Sequence, residues 1–403
     1  MEDRIGLVLS GAAALGAYQV GVLSHVIEEV ALELERPLRF DVLSGTSAGA
    51  INVAALASSA DELPPMIARL QETWSALRLE EMLRPSAIEF LAMLGDVAGG
   101  PAATRRAVTA CGLRGGLLDD SPLARLCGEA VDGARIDEHL RAGRLHAVAV
   151  AATQVSTGRA IVFHQSTAPP RRGGRSIMAA VRLEPVHARA SAAVPLMFAA
   201  VPIDGELYCD GGLRQMVPLS PAIHLGGRRL LVVSCAAHGQ ANPTPVADLR
   251  PWASSPLYLA GKAMHALFTD GIVGDLDRLE HLDRVLEAGR RRFGDGFATA
   301  LGEELTAMGH PPVFPVEVLH IEPSCDLGTL AAAHVGERDF TRRVHGAAAR
   351  VLRWIADGEP ARAGDLLSYL LFDGGFASTL IALGRADARA RHRELVAFFA
   401  MPR

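Results

Sequence analysis

Two short apolar runs within the first sixty residues each end in a turn of small residues that leads directly into a helical pattern. The first run covers residues 5–10 (IGLVLS) and precedes a helix predicted over residues 17–34. The second covers residues 40–44 (FDVLS) and precedes a helix predicted over residues 50–58. Buried strands that alternate with helices in this way are typical of a layered fold with a largely parallel sheet. The sequence therefore predicts an α/β fold.

The rest of the chain continues this alternation. Residues 145–153 and 159–164 flank a short turn and predict a β-hairpin. Further strands are predicted at residues 230–235 and 316–321, and the pattern from about residue 330 onward is helical. No internal repeat or linker separates independently folding domains.

Charge and cysteine usage narrow the classes of function. The 40 basic and 45 acidic residues give a net charge of −5, so we expect no nucleic-acid partner. Lys262 is the only lysine, and Pro256 and Ala263 break the P-loop pattern around it, which disfavours a phosphate-binding loop. The five cysteines are scattered and form no C-x-x-C pair. The sequence thus predicts neither a metal site nor a disulfide framework, and it indicates a reducing, cytoplasmic setting.

The second apolar run leads into GTSAG, a G-x-S-x-G pattern with Ser47 at its centre. A serine on a sharp strand-to-helix turn has a strained backbone, and its neighbours must be small so that the chain and a substrate can approach it. Its hydroxyl then projects from the sheet edge at the positive end of the following helix. We therefore predict that Ser47 is a nucleophile, supported by Gly45 and Gly49.

A second small-residue turn, SGAAALG, follows the first apolar run. Backbone N–H groups of such a loop form an anion site, which in acyl transfer is the oxyanion hole. A dinucleotide-binding loop is the rival interpretation, but it would need glycine at Ala13, and the acid in the expected region, Asp41, begins the second strand instead of ending it. The predicted oxyanion-hole loop consists of Gly11, Ala12, Ala13 and Ala14, with Gly16 in support.

A third candidate is Asp210, which ends a strand pattern and is followed by Gly211 and Gly212. Such a turn is often only structural, but a nucleophilic serine needs a base to take its proton. Two arrangements fit the spacing. In a triad, Ser47, Asp210 and His238 would act together, whereas in a dyad the Asp210 carboxylate would act on Ser47 directly. Spacing alone leaves both open.

Four blocks of the chain, taken together, resemble the patatin-like phospholipases. They read LSGAAALGAYQVGVL, SGTSAGAINV, ASAAVPLMF and IDGELYCDGGLRQMVPLSPAIHLG, at residues 9–23, 44–53, 190–198 and 203–226. All four occur in the order found in that family, and residues 365–376 resemble the C-terminal segment of its long bacterial members. The resemblance implies a three-layer α/β/α fold with a mostly parallel central sheet. It also implies a hydrolase domain over residues 1–325 and a helical extension over residues 326–403 that packs on it.

The same resemblance implies a chemistry. Ser47 and Asp210 would form a dyad without histidine and would hydrolyse acyl esters of phospholipids, lysophospholipids or related lipids through an acyl-enzyme intermediate. This reaction needs no cofactor and no metal, although some relatives respond to calcium or to protein activators. The partner implied for the chain is an acyl lipid.

The first loop departs from the family pattern G-G-G-x-[R/K]-G. Ala12 and Ala13 replace two glycines, and Leu15 replaces the basic residue. An alanine held at positive φ costs about 1–2 kcal/mol, and a loop strained in this way would slow acylation. The departure supports an alternative function, in which a catalytically impaired relative binds a lipid or a partner protein. Met216 also stands where relatives often carry asparagine.

Lipid substrates lie in bilayers, so we expect a cytoplasmic protein that contacts a membrane surface transiently. Residues 5–23 carry no charge, but they follow an acidic segment and contain four glycines. This favours a strand, a turn and a helix over a targeting or membrane-spanning segment. Arg171, Arg172 and Arg175 are candidates for contact with anionic headgroups.

Overall fold

The computed structural model describes residues 3–84, 116, 118–171, 176–235, 276, 278–279, 281–308, 313–337, 340, 344 and 367–400. Within these residues, one sheet is formed by β1 (Arg4–Leu9), β2 (Val42–Thr46), β3 (Ala147–Gln154), β4 (Ala160–Ser166), β5 (Ile177–Ala180), β6 (Val201–Ile203), β7 (Glu206–Asp210), β8 (Gly227–Val233) and β9 (Glu317–Ile321). The main path of the sheet is β5-β4-β3-β2-β1-β8-β9, and β7 pairs with both β3 and β6.

The sheet is mostly parallel. Its central pairs, β3–β2, β2–β1, β1–β8 and β8–β9, all run parallel, whereas β3–β4, β3–β7 and β6–β7 are antiparallel. Residues Val42–Thr46 of β2 and Gly227–Val233 of β8 are buried along their whole length, as expected for parallel strands covered on both faces. Helices flank the sheet, and the predicted three-layer α/β/α fold is confirmed.

The α-helices that are described at both ends follow in chain order. They are α1 (Gly16–His25), α2 (Ala31–Glu33), α3 (Ala48–Ser58), α4 (Leu63–Ser75), α5 (Leu79–Met82), α6 (Ser121–Ala130), α7 (Gly133–Arg141), α8 (Pro185–Ala192), α9 (Leu219–His224), α10 (Phe297–Ala307), α11 (Leu327–Gly336), α12 (Gly374–Ala390) and α13 (His392–Ala400). A π-helical turn, Val26–Val30, joins α1 to α2, so that the helix predicted over residues 17–34 is nearly continuous.

Both predicted strand–turn–helix units are present. β1 leads through the 3-10 turn Ala13–Leu15 into α1, and β2 leads through Ser47 into α3. β2 lies two residues further along the chain than predicted, because Gly45 and Thr46 still pair with β3. β3 and β4 form the predicted hairpin, whereas the short strands β5 and β6 were not predicted.

One register relation positions the site. β4 pairs with one edge of β3 along most of the length of β3. The opposite edge of β3 pairs first with β2 and then with β7. Thr46, the last residue of β2, lies opposite Ala151, and Asp210, the last residue of β7, lies opposite Ala152. The two strands therefore meet end to end along β3, which brings residue 47 next to Asp210.

The C-terminal helix α12 packs directly against α1. The two backbones approach so closely that a Cβ at Gly21 would lie 2.1 Å from the Ile381 carbonyl oxygen, and one at Gly384 would lie 2.2 Å from that of Tyr18. The buried Tyr18 hydroxyl donates a hydrogen bond to Asp387 at 3.0 Å. The C-terminal helices thus support the helix that follows the first loop, while the division into residues 1–325 and 326–403 stays a prediction.

Candidate active site

Ser47 occupies the sharp turn between β2 and α3. Its backbone has φ +55° and ψ −124°, a conformation that costs a non-glycine residue about 1–3 kcal/mol. The motif glycines leave no room for a side chain, because a Cβ at Gly45 would lie 2.4 Å from the Gly49 carbonyl oxygen. One at Gly49 would lie 2.5 Å from the carbonyl oxygens of Leu9 and Ser10. The turn therefore presents Ser47 at the N-terminus of α3, where its hydroxyl makes no capping hydrogen bond.

Asp210 ends β7 and is 3% exposed. Its Oδ1 accepts a hydrogen bond from the Gly212 N–H at 2.7 Å, and its backbone carbonyl accepts one from the Thr153 hydroxyl at 2.9 Å. Gly211 fits tightly against β3, since a Cβ there would lie 2.2 Å from the Ala151 carbonyl oxygen. The D-G-G turn thus fixes the carboxyl group at the end of the strand.

The structure brings Ser47 and Asp210 together. Burial raises the pKa of the Asp210 carboxyl to about 6, whereas the nearby Ser47 hydroxyl and the Gly212 N–H act to lower it. Oδ2 of Asp210 is buried and has no hydrogen-bond partner among the described residues. The Ser47 hydroxyl is therefore close enough to influence the carboxyl without completing a hydrogen bond to Oδ2, as is common for catalytic pairs in the absence of substrate.

The predicted oxyanion-hole loop connects β1 to α1. Ala13 has φ +47°, in the left-handed region, whereas Ala12 has a negative φ of −154° with ψ −10°. The Leu15 N–H donates to the Ala12 carbonyl oxygen at 2.9 Å and closes the 3-10 turn. Within the described residues, no acceptor binds the N–H groups of Ala12, Ala13 and Ala14. These three amides are therefore the donors that the loop offers.

Met216 lies between the two turns and is 4% exposed. Its carbonyl oxygen accepts a hydrogen bond from the Gly11 N–H at 2.8 Å, so this predicted oxyanion donor is already engaged. Its side chain fills the space beside both glycines: a Cβ at Gly11 would lie 2.5 Å from the sulfur, and one at Gly212 would lie 2.6 Å from the terminal methyl. Met216 therefore joins the first loop to the Asp210 turn.

A buried polar network that was not predicted from the sequence ties the first loop to α3 and α4. Gln19 donates to the Ser10 carbonyl oxygen at 2.8 Å, and Asn52 donates to the Gln19 side chain at 3.0 Å and to the Gly16 carbonyl oxygen at 3.2 Å. The Trp74 indole donates to Asn52 at 3.0 Å. The available signal was the presence of amide side chains inside otherwise apolar helices, since buried polar groups are almost always paired.

Other predicted residues lie away from this centre. Arg171 packs over the Phe314 ring, with 4.8 Å between the guanidinium carbon and the ring centroid, near the start of β8 and β9. Ser47 follows the C-terminal end of β2, whereas Arg171 lies near the N-terminal ends of β8 and β9. Because these strands run parallel, Arg171 lies toward the opposite end of the strands from Ser47. His238, Arg172 and Arg175 lie outside the described residues.

No group of three or more histidine, cysteine, aspartate or glutamate side chains in the described ranges is arranged to hold a metal ion. Likewise, none of the helices described combines the length and the apolar character needed to cross a membrane.

A family model described as patatin-like phospholipase matches residues 7–223, which is more than half of the chain. The chain belongs to the patatin-like phospholipase family. The match begins within β1 and includes the second strand–turn–helix unit, all of α8 and the whole of β7 with its D-G-G turn. Since this is a family of lipase-type hydrolases, the predicted class of enzyme, a lipid acyl hydrolase, is confirmed at that level.

Comparisons with individual proteins add little to the family match. No curated protein matches the chain. Among solved structures, VipD from Legionella pneumophila is 10% identical, covering 100% of this chain and 93% of its own, with a TM-score of 0.28. ExoU from Pseudomonas aeruginosa, solved in complex with SpcU of the type III secretion system, is 16% identical, covering 97% of this chain and 78% of its own, with a TM-score of 0.31. At such identities and TM-scores, neither likeness says anything about the site.

Compared with the patatin-like pattern, the first loop is strained at one position only. Ala13 adopts the positive φ expected of a glycine there, whereas Ala12 does not. Leu15, which replaces the basic residue, is 1% exposed and packs in the core. A charged side chain at position 15 of this patatin-like protein would be buried, which is costly. The apolar side chain of leucine is therefore favoured there.

Proposed function

We propose that this patatin-like protein is a serine acyl hydrolase that cleaves ester bonds of phospholipids, lysophospholipids or related lipids through a Ser47–Asp210 dyad. The observation that carries the proposal is a strained nucleophile turn beside a buried carboxyl group whose Oδ2 has no partner in the described part of the chain. A base with a pKa of about 6 is ionised at neutral pH and still accepts a proton effectively in the transition state.

In acylation, the Asp210 carboxylate accepts the hydroxyl proton of Ser47 while Oγ forms a bond to the ester carbonyl carbon. The carbonyl oxygen becomes an oxyanion, and the proposed donors to it are the N–H groups of Ala12, Ala13 and Ala14. When the tetrahedral intermediate collapses, the ester C–O bond breaks and the alcohol leaves with the proton held by Asp210. Ser47 then carries the acyl group.

Deacylation repeats these steps with water. Asp210 accepts a proton from water as the water oxygen attacks the acyl carbonyl, and the same amides face the second oxyanion. The bond to Ser47 Oγ breaks, Oγ takes the proton back from Asp210, and a fatty acid is released. One carboxyl group therefore acts alternately as base and acid, and the cycle requires no other titratable group.

We further propose that the reaction takes place at the cytoplasmic surface of a membrane, where acyl lipids are presented. The cysteines Cys127, Cys209, Cys235 and Cys325 are free thiols, which supports a reducing compartment. Contact with the bilayer would be transient. No described residue of the site points to a protein activator.

The direct test is covalent labelling of the purified protein with a fluorophosphonate, with the adduct located by peptide mass spectrometry. We expect an adduct at Ser47, together with hydrolysis of a p-nitrophenyl acyl ester. Ser47→Ala should abolish labelling, and Asp210→Asn should reduce it by on the order of 10³-fold or more, because the amide does not accept the proton. Labelling of Ser47→Ala at the wild-type rate would contradict the proposal. A panel of phospholipids and neutral lipids then identifies the substrate.

The second candidate is a catalytically impaired patatin-like protein that binds a lipid or a partner protein. Two observations favour it, namely the strained φ of Ala13 and the engagement of the Gly11 N–H by Met216. In this case the wild type would bind lysophospholipid micelles but would label at Ser47 only slowly. Ala13→Gly, which relieves the strain, would then raise labelling by about tenfold or more.

A further inference from the structure

Ser191 and Ala193 lie at the C-terminal end of α8, beside β3. Ser191 is fully buried, and its Oγ accepts a hydrogen bond from the Ser47 N–H at 2.9 Å while donating one to the Ala151 carbonyl oxygen at 2.5 Å. Two residues later, the Ala193 carbonyl oxygen accepts a hydrogen bond from the Asp210 N–H at 2.8 Å. One short segment therefore holds the backbones of both dyad residues.

The Ser47 N–H needs an acceptor from outside its own helix. Ser47 precedes α3, and it joins the first turn through its carbonyl oxygen, which accepts from the N–H groups of Ala50 and Ile51 at 2.9 and 3.2 Å. Its N–H takes no part in that turn, and a buried N–H without an acceptor is costly. The Ser191 hydroxyl is the acceptor that the described residues provide.

The second hydrogen bond of Ser191 ends at the point on β3 where the two strands of the site meet. Ala151 lies opposite Thr46, the residue before the nucleophile, and the next residue, Ala152, lies opposite Asp210. The Ser191 hydroxyl therefore connects the strained turn to the same part of β3 that holds the base. No local sequence pattern indicates this connection, because it is made entirely by contacts between distant segments.

We propose that Ser191 is a positioning residue of the dyad, whose hydroxyl holds the Ser47 backbone at the separation from Asp210 that proton transfer requires. The proposal rests on the proposed function, since it assumes that these two residues react. Without the hydroxyl, the strained turn relaxes, and a displacement of about 1 Å at a reacting centre costs on the order of 10²-fold in rate. Ligand binding changes little, because Ser191 contacts backbone atoms of Ser47 and Ala151.

The test compares Ser191→Ala with Ser58→Ala, a matched control in the last turn of α3. Ser58 is 4% exposed, and its Oγ donates to the Ala54 carbonyl oxygen at 2.8 Å and accepts from the Asp132 N–H at 2.9 Å. Each variant loses a buried hydroxyl with the same two kinds of backbone hydrogen bond, so both should lower Tm by a similar amount. The kinetics of fluorophosphonate inactivation then separate the maximal rate, kinact, from the half-saturating concentration, KI.

We expect Ser191→Ala to lower kinact by about 10- to 100-fold and to leave KI within about twofold. Ser58→Ala should leave both constants within about twofold. Should Ser191→Ala fail to fold, Ser191→Cys keeps the space filled with a weak donor and acceptor, and we expect its kinact to remain well below that of the wild type.

Hydrogen exchange at the backbone amides provides a readout that does not depend on catalysis. Ser191→Ala should speed the exchange of the Ser47 amide and leave that of Asp132 unchanged, and Ser58→Ala should do the reverse. If kinact of Ser191→Ala equals the wild-type value, the positioning role is wrong while the dyad stands. If the wild type never labels but Ser191→Ala still speeds exchange at Ser47, the proposed function is wrong while the contact stands. If neither kinact nor the exchange of the Ser47 amide responds, Ser191 positions neither the dyad nor the Ser47 backbone, and the proposal is wrong.

Discussion

The first loop, at residues 10–16, and the nucleophile turn, at residues 45–49, look alike in sequence. They differ in the positions at which packing requires a glycine. At the nucleophile turn, a Cβ at Gly45 or Gly49 would lie within 2.5 Å of backbone oxygen atoms. At the first loop, Gly16 is kept where a Cβ would lie 2.7 Å from the Trp74 ring. Residues 12–14 of that loop are alanines, and only Ala13 among them has a positive φ.

The difference separates two reasons for a glycine. A collision with packed backbone or with a buried ring is relieved only if a larger part of the structure moves. A left-handed backbone costs an alanine only about 1–2 kcal/mol, which the rest of the fold can offset. In these turns glycine therefore stands where a Cβ would collide with packed atoms, whereas alanine occupies position 13, which has a left-handed φ.

The largest effect is expected at the nucleophile turn. Gly49→Ala should lower the free energy of unfolding by about 3 kcal/mol and abolish labelling of Ser47, because the new Cβ would lie 2.5 Å from two carbonyl oxygens. Gly128→Ala in α6 is the matched control, since nothing lies within 4 Å of its added Cβ, and helix propensity should stabilise it by about 0.5–1 kcal/mol. Urea denaturation measures both. Equal stabilities for the two variants would show that space is not what distinguishes these glycines.

Met216 joins the first loop to the Asp210 turn, so its removal should affect both. Met216→Ala should destabilise the protein by about 2–5 kcal/mol, as expected for a buried methionine, and should lower kinact by about tenfold through movement of Gly11 and Gly212. Met82, which is 3% exposed, gives the control variant Met82→Ala. We expect a similar loss of stability there with kinact unchanged. A similar fall in kinact in both variants would reduce the role of Met216 to general packing.

The Asp210 carboxyl beside the nucleophile turn should account for the pH dependence of the reaction, because the first loop offers only uncharged amides. The labelling rate should rise as pH increases through about 6, where the Asp210 carboxyl loses its proton, and should then reach a plateau. Ala13→Gly should leave this midpoint unchanged. A midpoint that moves with the loop variant would contradict the separation of the two turns.

The raised pKa of Asp210 also makes a prediction for stability. Between pH 4 and pH 6 the folded protein retains a proton that the unfolded chain has released, so this group stabilises the fold at low pH, and the contribution is lost as pH rises to about 6. Asp210→Asn should therefore be more stable than the wild type at pH 8, by about 3 kcal/mol, and nearly equal to it at pH 4. Thermal unfolding at the two pH values measures the difference. A variant less stable at pH 8 than the wild type would contradict it.

The smallest effects distinguish the two alanines of the first loop. Ala13→Gly should stabilise the protein by about 0.5–1 kcal/mol, because relief of the positive φ exceeds the entropy that glycine loses on folding. Ala12→Gly should destabilise it by about 0.5–1 kcal/mol, because Ala12 already has a negative φ and the substitution only removes a buried methyl. Urea denaturation of the pair gives opposite signs if backbone strain is confined to Ala13.

Local patterns predicted the α/β fold and the two strand–turn–helix units, because strands and turns of this kind are encoded by adjacent residues. The expectation of a strained alanine in the first loop also agrees with the structure, at Ala13. The short strands β5 and β6 were missed, since three or four residues form a strand here only through their neighbours in the sheet.

The contacts that assemble the site were beyond prediction for the same reason. Ser191 meets Ser47 across a long stretch of chain, and Gln19 meets Asn52 between two helices. Neither pair has a spacing that a single sequence reveals, because tertiary packing selects the partner. The roles of Ser47 and Asp210 themselves stay predictions, which labelling will decide.

The end-to-end meeting of β2 and β7 along β3 has a consequence for how such a protein can change. Since adjacent positions on β3 pair with the strand ends next to Ser47 and at Asp210, the lengths of the loops between these strands do not alter that register. Loops there can gain or lose residues as long as β3 keeps both neighbours and the end of α8 keeps its contacts with Ser47 and Asp210. A slip of a single residue in β7 would turn the Asp210 side chain to the other face of the sheet. The site is thus tolerant of gaps in an alignment and intolerant of a shift in strand pairing.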